Sequence, residues 1–202
     1  MRDVVTTDER RDRYVEAGWW TGATLAERIV RHAQRQPGQI AVVDRGGERR
    51  VTYAQLHDDV TSLAAELRAA GINGGDVISI QLPNCYEAVV FAAAAQAAGG
   101  VINPSLPSYR AHEIGHVYTT ARPKLHVTTT SGSGVVTEAA SNVGHQPIHV
   151  ALDLGETLRS GTWLVGAMGR TVASLPPPSD ATPDANRVSE LIFTSGTEAT
   201  PK

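Results

Sequence analysis

Residues 77–103 read VISIQLPNCYEAVVFAAAAQAAGGVIN and decide the fold class of this chain. The first six residues predict a buried strand, Pro83 and Asn84 break it, and the alanine-rich stretch that follows predicts a buried helix. A Gly-Gly pair ends that helix and leads directly into a second apolar run. A strand, a crossover helix and a second strand form a unit that requires the two strands to be parallel. We therefore expect an α/β protein whose mostly parallel sheet is flanked by helices.

Two capping boxes and a β-hairpin are predicted ahead of this unit. Thr24 with Glu27, and Thr52 with Gln55, have the spacing at which a hydroxyl and a longer polar side chain satisfy the free N–H groups of a helix start. Between these helix starts, residues 40–53 read as a strand, a Gly-containing turn and a returning strand. The sequence thus predicts a helix, a hairpin and a second helix in that order.

The later elements carry weaker start signals. Asn84, with a glutamate three residues later, predicts the cap of the alanine-rich helix, and Ser108 predicts the cap of a further helix. Residues 124–130 and 148–152 predict two more strands. Between these strands, the glycines and serines of 131–134 predict a flexible turn.

Composition and charge argue against several classes of protein. The 202 residues are 41% hydrophobic and 19% charged with a net charge of −3, so nothing favours nucleic acid or an anionic membrane as a partner. The longest apolar segment, 88–98, is shorter than the about 20 residues that span a bilayer, and the polar amino terminus has no signal-peptide pattern. The single cysteine, Cys85, fits a packed side chain in a reducing cytoplasm, and the scattered histidines predict no metal site. A cytoplasmic protein is expected.

The last stretch, 191–202, reads LIFTSGTEATPK and predicts a phosphate-binding loop. Its apolar start predicts a buried strand, and the loop combines Ser and Thr hydroxyls, backbone N–H groups around Gly196 and the positive charge of Lys202. A Walker A loop is disfavoured because, counted from Gly196, Pro201 stands where the second glycine belongs. An ordinary surface loop is the alternative that the loop alone leaves open.

Three stretches resemble one family. Residues 194–202 are similar to the signature loop of the adenylate-forming enzymes, S/T-S-G-S/T-T-G-x-P-K-G, with departures at Glu198 and Ala199. Residues 51–56 resemble the first core motif of that family, L-T/S-Y-x-E-L. Residues 96–107 resemble its second core motif in the version used by acyl- and aryl-CoA synthetases. The three motifs occur in the family's order and at similar spacing.

The resemblance spans roughly residues 14–202 and implies the amino-terminal part of the adenylate-forming fold. It implies an ATP-dependent acyl-CoA synthetase or acyl-AMP ligase that activates a carboxylic acid as acyl-adenylate. The acyl group then passes to a thiol, either of coenzyme A or of a carrier protein, and Mg²⁺ accompanies the ATP. Residues 14–20 and 103–110 look closest to members that act on aryl or cyclic acids, and a fatty acid is also compatible with the family.

The resemblance also implies which loop residues bind the nucleotide. Hydroxyls, backbone N–H groups and a lysine would grip the β- and γ-phosphates and so hold the α-phosphorus for in-line attack. Glu198 is expected to point away from the nucleotide or to meet it only through Mg²⁺, because a carboxylate about 4 Å from a phosphate charge is repelled by about 4 kcal/mol. The implied nucleotide-binding residues are Thr194, Ser195, Gly196, Thr197, Glu198 and Lys202.

The family's remaining site residues all follow the signature loop. The adenine-binding segment, the magnesium-binding glutamate, the ribose-binding aspartate and the catalytic lysine have no counterpart before residue 202. No catalytic or metal-binding residue is therefore expected in this chain, which alone is expected not to adenylate. Its expected partner is the carboxy-terminal remainder of the same enzyme, either in the same polypeptide or as a separate chain. The alternative is a stand-alone, non-catalytic α/β binding or scaffold module.

Four segments are predicted along the chain. Residues 1–23 form an amino-terminal arm, packed by its tryptophans onto a larger body, and residues 24–175 form an α/β subdomain of the large amino-terminal domain. The proline-rich segment 176–190 predicts a stiff linker. Residues 191–202 are expected to begin the next subdomain and to carry the phosphate-binding loop.

Overall fold

A computed structural model describes residues 6–44, 48–154, 164 and 187–193 of the chain. Helices and strands alternate through most of this length, as the sequence predicts. The helices are α1 (Asp8–Glu16), α2 (Leu25–Arg35), α3 (Tyr53–Ala69), α4 (Tyr86–Ala97), α5 (Ala111–Ala121) and α6 (Ser133–Val143). The strands are β1 (Ile40–Asp44), β2 (Arg49–Thr52), β3 (Val77–Gln81), β4 (Val101–Pro104), β5 (Leu125–Thr129) and β6 (Ile148–Leu152).

The last four strands, β3 to β6, form one parallel sheet in the order β4-β3-β5-β6. β3 lies in the interior of this sheet and pairs in parallel with β4, and the helix α4 connects the two strands. This arrangement confirms the parallel unit predicted from residues 77–103. β1 and β2 pair antiparallel in a separate two-stranded sheet, so the predicted hairpin is also confirmed. The α/β class, with a parallel sheet flanked by helices, is therefore correct.

Each face of the parallel sheet packs against its own layer of helices. Ile78 and Ile80 of β3 join one core together with α2, α3 and α4, whereas Val77 joins a second core with α5 and α6. Successive side chains of a strand point to opposite faces, so this alternation follows from the pleat. Every residue of β3 is buried because both faces are covered.

The two predicted capping boxes are present. The backbone N–H of Glu27 donates to Thr24 Oγ1 at 3.3 Å, and the N–H of Thr24 donates back to the Glu27 carboxylate at 2.7 Å. Thr52 and Gln55 form the same pair at 3.3 and 2.9 Å. These local signals were readable because both partners lie within one turn of the chain.

The predicted cap of α4 is wrong. α4 begins at Tyr86 with Cys85 in the capping position, and the Cys85 side chain makes no capping hydrogen bond. Glu87 is fully buried and pairs with Arg49 of the hairpin at 2.6 Å. A long-range ion pair therefore takes the glutamate that the local pattern assigned to Asn84.

Two other local predictions in the second half are corrected. α5 begins after Arg110 rather than at Ser108. The predicted flexible turn at 131–134 is a short 3-10 helix, Thr130–Gly132, which runs directly into α6. Three apolar residues of α6, Val136, Ala139 and Ala140, are buried in the second core. Their burial stabilises the helix more than the weak helix propensity of its glycine and serine residues destabilises it.

The amino-terminal arm packs mainly on itself. No residue of α1 is buried, and the ring of Tyr14 lies 5.4 Å from that of Trp19 and 5.2 Å from that of Trp20. Trp19 is 71% exposed. The expectation that this tryptophan packs the arm onto the larger body is therefore wrong.

Candidate functional site

The carboxyl ends of β3, β4 and β5 lie along one edge of the parallel sheet. The strands run in one direction, so the segments that follow them, 82–85, 105–110 and 130–132, all leave the sheet at this edge. In open α/β sheets, ligands bind in the crevice outside the carboxyl ends of the strands. We therefore take this edge as the candidate functional site.

Residues 187–193 join the sheet beside β4. The N–H of Ile102 donates to the carbonyl of Ser189 at 2.9 Å, and the N–H of Leu191 donates to the carbonyl of Ile102 at 2.8 Å. The bridge between Ile102 and Glu190 is parallel, so this segment runs towards the same carboxyl edge. The segment thus extends the sheet of residues 24–175, and the domain boundary placed at 176–190 stays a prediction.

The segment is only partly the buried strand that the sequence predicts. Leu191 and Phe193 pack against the second core, and the ring of His116 lies edge-to-face on Phe193 at 5.7 Å. Ile192, between them, is 61% exposed. The exposure arises because the segment pairs with β4 on one side only, at the edge of the described sheet.

A buried polar cluster holds this segment. The Nδ2 group of Asn103 donates to the carbonyl of Leu191 at 2.8 Å, and its Oδ1 accepts from the hydroxyls of Ser79 and Ser105, each at 3.2 Å. Asn103 and Ser79 are fully buried. The sequence alone gives neither residue a functional role, although Asn103 lies in a stretch that resembles the second core motif. The available signal was a polar side chain inside each of two otherwise apolar strands.

A cavity of about 390 Å³ opens at the same edge. The Nε2 group of Gln81, at the end of β3, donates to the carbonyls of Leu106 at 3.2 Å and Tyr109 at 3.0 Å, which fixes the loop that forms one wall. Arg110 is the charged residue among those that line the cavity, and none of them is acidic. The lining residues are Gln81, Pro83, Pro107, Ser108, Tyr109, Arg110, Thr128, Thr129, Ser131, Gly132 and Val135.

The hairpin fixes the start of α4 at this edge. Asp44 of β1 accepts a hydrogen bond from the backbone N–H of Tyr86 at 2.9 Å, and the Tyr86 hydroxyl donates to Asp59 of α3 at 2.8 Å. The guanidinium of Arg49 lies over the Tyr86 ring at 4.2 Å while it pairs with Glu87. Burial raises the pKa of Asp59, and burial together with Asp59 raises that of Tyr86.

Cys85, the residue before α4, is a packed thiol. Half-burial, with a smaller effect of the neighbouring Glu87, raises its pKa to about 11. The thiol is therefore protonated at neutral pH, and thiolate is the reactive form of cysteine. The geometry agrees with the packing role predicted for this residue and gives it no nucleophilic role.

Four polar side chains cross the second face of the sheet in one register row. Asn103 is paired with Ser79, Ser79 with His126, and His126 with His149. His126 is fully buried, and burial, followed by the charge of His149, lowers its pKa to about 3. Neither ring nitrogen of His126 has a hydrogen-bond partner among the described residues. Tyr118 of α5 covers this histidine with its ring edge-on at 5.6 Å.

The six residues predicted to bind nucleotide lie outside the described residues. Thr194, Ser195, Gly196, Thr197, Glu198 and Lys202 all belong to 194–202, so their assignment stays a prediction. The structure instead gives the position of Phe193, the residue directly before this loop. In the described ranges no group of three or more His, Cys, Asp or Glu side chains could hold a metal ion, and no helix there is long and apolar enough to cross a membrane.

Comparison with known proteins assigns the family. The family model described as AMP-binding enzyme matches residues 29–202. A salicylyl-CoA synthase / salicylate adenylyltransferase of Streptomyces sp is 31% identical over 96% of this chain and 36% of its own length. A medium-chain fatty-acid–CoA ligase of Escherichia coli (strain K12) is 30% identical over 100% of this chain and 36% of its own.

The fold comparison gives the same result. The apo structure of MbtA from Mycobacterium smegmatis superimposes with a TM-score of 0.79 and 26% identity, covering 96% of this chain and 35% of that one. The chain thus spans about a third of the length of the relatives that it matches. Together with the parallel sheet and the segment that enters its carboxyl edge, these matches establish that the chain belongs to the AMP-binding enzyme family.

Proposed function

We propose that the complete protein carrying this chain is an ATP-dependent ligase that activates a carboxylic acid as acyl-adenylate and transfers the acyl group to a thiol. The observation that supports this most directly is the parallel pairing of Glu190 with Ile102. That pairing directs the chain to the carboxyl edge of the sheet immediately before residues 194–202, in a chain of the AMP-binding family. The loop would therefore begin where ligands of open α/β sheets bind.

The first half-reaction forms the acyl-adenylate. A carboxylate oxygen of the acid attacks the α-phosphorus of ATP, a new oxygen–phosphorus bond forms, and pyrophosphate leaves with the electron pair of the broken bond. Thr194, Ser195 and Thr197 would donate hydroxyls to the β- and γ-phosphates, and the backbone around Gly196 would donate N–H groups. Lys202 would add a positive charge where negative charge develops on the leaving group.

The second half-reaction transfers the acyl group. The sulfur of coenzyme A or of a carrier-protein thiol attacks the acyl carbon, the thiol loses its proton, and AMP leaves from the tetrahedral intermediate. The described cysteine, Cys85, is protonated and half-buried, so it is not proposed to act in this step. We propose that residues of the complete protein outside this chain carry this half-reaction.

Mg²⁺ is the metal that such a reaction uses. It binds through carboxylates and substrate phosphates, and none of the described residues that line the cavity has a carboxylate. The described residues that line the cavity therefore do not fit a magnesium site. Within the predicted loop, Glu198 is the residue whose carboxylate would be able to bind Mg²⁺.

We further propose an aromatic carboxylic acid as the preferred substrate, with a fatty acid as the second candidate. The proposal is supported by the likeness to the salicylate-activating relative across 96% of the chain and by the resemblance of 103–110 to ligases of aryl or cyclic acids. The fatty acid is the second candidate because a fatty-acid–CoA ligase is 30% identical over 100% of this chain.

Acid-dependent exchange of pyrophosphate into ATP tests the proposal. The complete protein should exchange with salicylate or benzoate more efficiently than with octanoate, and it should not exchange without acid. Ser195→Ala and Lys202→Met should each raise the KM for MgATP, whereas Thr200→Ala in the same loop should not. Nucleotide binding without exchange for any acid would contradict the ligase and support a non-catalytic binding module. Exchange by the 202-residue chain alone would contradict the need for a further segment.

A further inference from the structure

We infer that Asn103 is a positioning residue for ATP binding, which holds the carbonyl of Leu191 and so fixes the segment that leads into the predicted phosphate loop. This inference rests on the proposed function because it concerns the loop that would bind ATP. Its basis is the buried cluster formed by Asn103, Ser79 and Ser105 with the segment 187–193.

The orientation of the Asn103 amide is fixed from both sides. A carbonyl oxygen only accepts hydrogen bonds, so the group that faces Leu191 O at 2.8 Å has to be the Nδ2 donor. The Oδ1 atom then faces the two serine hydroxyls, which donate to it at 3.2 Å each. Turning the amide over would place oxygen against the Leu191 oxygen in a fully buried site. The cluster therefore has one arrangement that satisfies its members.

The hydrogen bond lies close to the loop along the chain. Two backbone hydrogen bonds with Ile102 fix residues 189–191, and the bond from Asn103 to Leu191 O is the next towards the loop among the described contacts. Three further residues, which span at most about 10 Å, lead from Leu191 to Thr194. Phe193, between this bond and Thr194, packs against the second core and the ring of His116, so the bond and this packing together fix the chain up to the start of the predicted loop. Displacements of about 1 Å in a reacting geometry cost up to about a hundredfold in rate.

Packing alone does not account for an amide at this position. Val101, two residues earlier on the same face of β4, is buried in the second core with an apolar side chain. An amide adds what Val101 lacks, namely a donor and an acceptor pointing in fixed and opposite directions. Burying these groups is costly unless both are satisfied, which the cluster achieves.

The first test replaces Asn103 by alanine in the complete protein. Pyrophosphate exchange is measured at varied MgATP and at varied acid, together with the thermal midpoint and the fraction of active sites. We expect kcat/KM for MgATP to fall at least about tenfold, while the KM for the acid stays within about twofold. The matched control is Val150→Ala, in β6 at the opposite edge of the sheet, where the side chain is also fully buried. It should lower the thermal midpoint without changing the KM for MgATP.

A second variant separates the hydrogen bond from the volume of the side chain. In Asn103→Asp, burial raises the pKa of the new carboxyl, and the neutral form can donate its O–H to the Leu191 carbonyl. The ratio of variant to wild-type kcat/KM for MgATP should therefore rise as the pH is lowered from 8 to 6. Asn103→Ala should show no such recovery, because it has no donor at any pH.

Three outcomes would overturn the inference. One is an Asn103→Ala protein whose kinetic loss is only a smaller active fraction, with both KM values unchanged. Another is an Asn103→Asp protein with no recovery at low pH. The third is failure of both variants to fold at any pH, which would make Asn103 a residue of general stability. Absence of exchange by the wild-type protein is a different result, since it refutes the proposed function and not the role of the hydrogen bond.

Discussion

The two faces of the parallel sheet are built from different chemistry. The face towards α2, α3 and α4 is mainly apolar, with Ile78, Ile80 and Val127 in one continuous core. The face towards α5 and α6 carries the row of Asn103, Ser79 and the two histidines between apolar neighbours. The first face supplies non-directional burial, whereas the second supplies directional contacts, one of which reaches the segment before the predicted loop. The apolar face thus contributes mainly to the stability of the fold, and the polar row on the other face contributes a hydrogen bond that positions Leu191.

The largest expected effect is a cavity in the apolar face. Phe91 of α4 is fully buried in the first core, so Phe91→Ala should lower the free energy of unfolding by about 4 kcal/mol. Phe91→Leu is the control, since it keeps most of the volume and should cost less than half as much. Urea denaturation measures both. A loss near 1 kcal/mol for Phe91→Ala would mean that the apolar face is not the main source of stability.

The polar face should make the fold sensitive to acid. The pKa of His126 is lowered from 6.5 to about 3, so the fold favours the neutral ring, while the unfolded chain takes up a proton near pH 6.5. The stabilisation is therefore complete above about pH 6.5 and is lost progressively as the pH falls towards 3. Between pH 7 and pH 5 this single group should cost about 2 kcal/mol.

His126→Leu removes that titration and should flatten the dependence of unfolding free energy on pH between 7 and 5. The exposed His112 gives the matched control, and His112→Gln should leave the slope of the wild type unchanged. Urea denaturation at a series of pH values compares the three proteins. An equal slope for His126→Leu and the wild type would show that His126 is not buried in its neutral form.

A smaller effect is expected from the serine at the centre of the polar row. Ser79→Ala removes one hydrogen bond to Asn103 but leaves the bond from Asn103 to Leu191, and it should cost about 1 kcal/mol. Thr137→Ala in α6 is the control, because its hydroxyl bonds to the Ser133 carbonyl on an exposed helix surface. It should change the unfolding free energy by less than about 0.5 kcal/mol. A Ser79 variant as stable as the wild type would show that the row does not act as a connected cluster.

The smallest effect should come from an aromatic residue outside both faces. Trp19 is 71% exposed and contacts Tyr14 of its own arm, so Trp19→Ser should change the unfolding free energy by less than about 0.5 kcal/mol. Phe91→Ala, measured in parallel, provides the contrast between a buried and an exposed ring. A loss above 2 kcal/mol for Trp19→Ser would show that the arm is packed onto the body of the protein after all.

Signals within one turn or one supersecondary unit were read correctly from the sequence. The capping boxes at Thr24 and Thr52 and the crossover unit at 77–103 need only partners that are close along the chain or a pattern of apolar residues. The start of α4 was misread because the partner of Glu87 is Arg49, 38 residues away in the hairpin. The helix over 133–143 is not predicted because its start is rich in glycine and serine, and burial of Val136, Ala139 and Ala140 in the second core outweighs their weak helix propensity.

Part of the candidate site can be predicted from the sequence, and part of it depends on contacts between residues far apart along the chain. The type of loop at 194–202 is a prediction from residue types and family resemblance, and those residues lie outside the described part of the chain. Asn103 could not be singled out from sequence, because its partners Ser79 and Leu191 are 24 and 88 residues away. The cavity at the carboxyl edge likewise combines residues from three separate connections.

The sequence by itself determined the α/β class, the parallel crossover, the hairpin and the family to which the chain belongs, because these depend on local periodicity, turn residues and contiguous motifs. Only the tertiary structure decided which polar residues are buried together and which strand the last segment joins. The physical reason is that a hydrogen bond between strands depends on register, and register is fixed by packing across the whole sheet. The position of Leu191 beside Asn103 is a consequence of that packing.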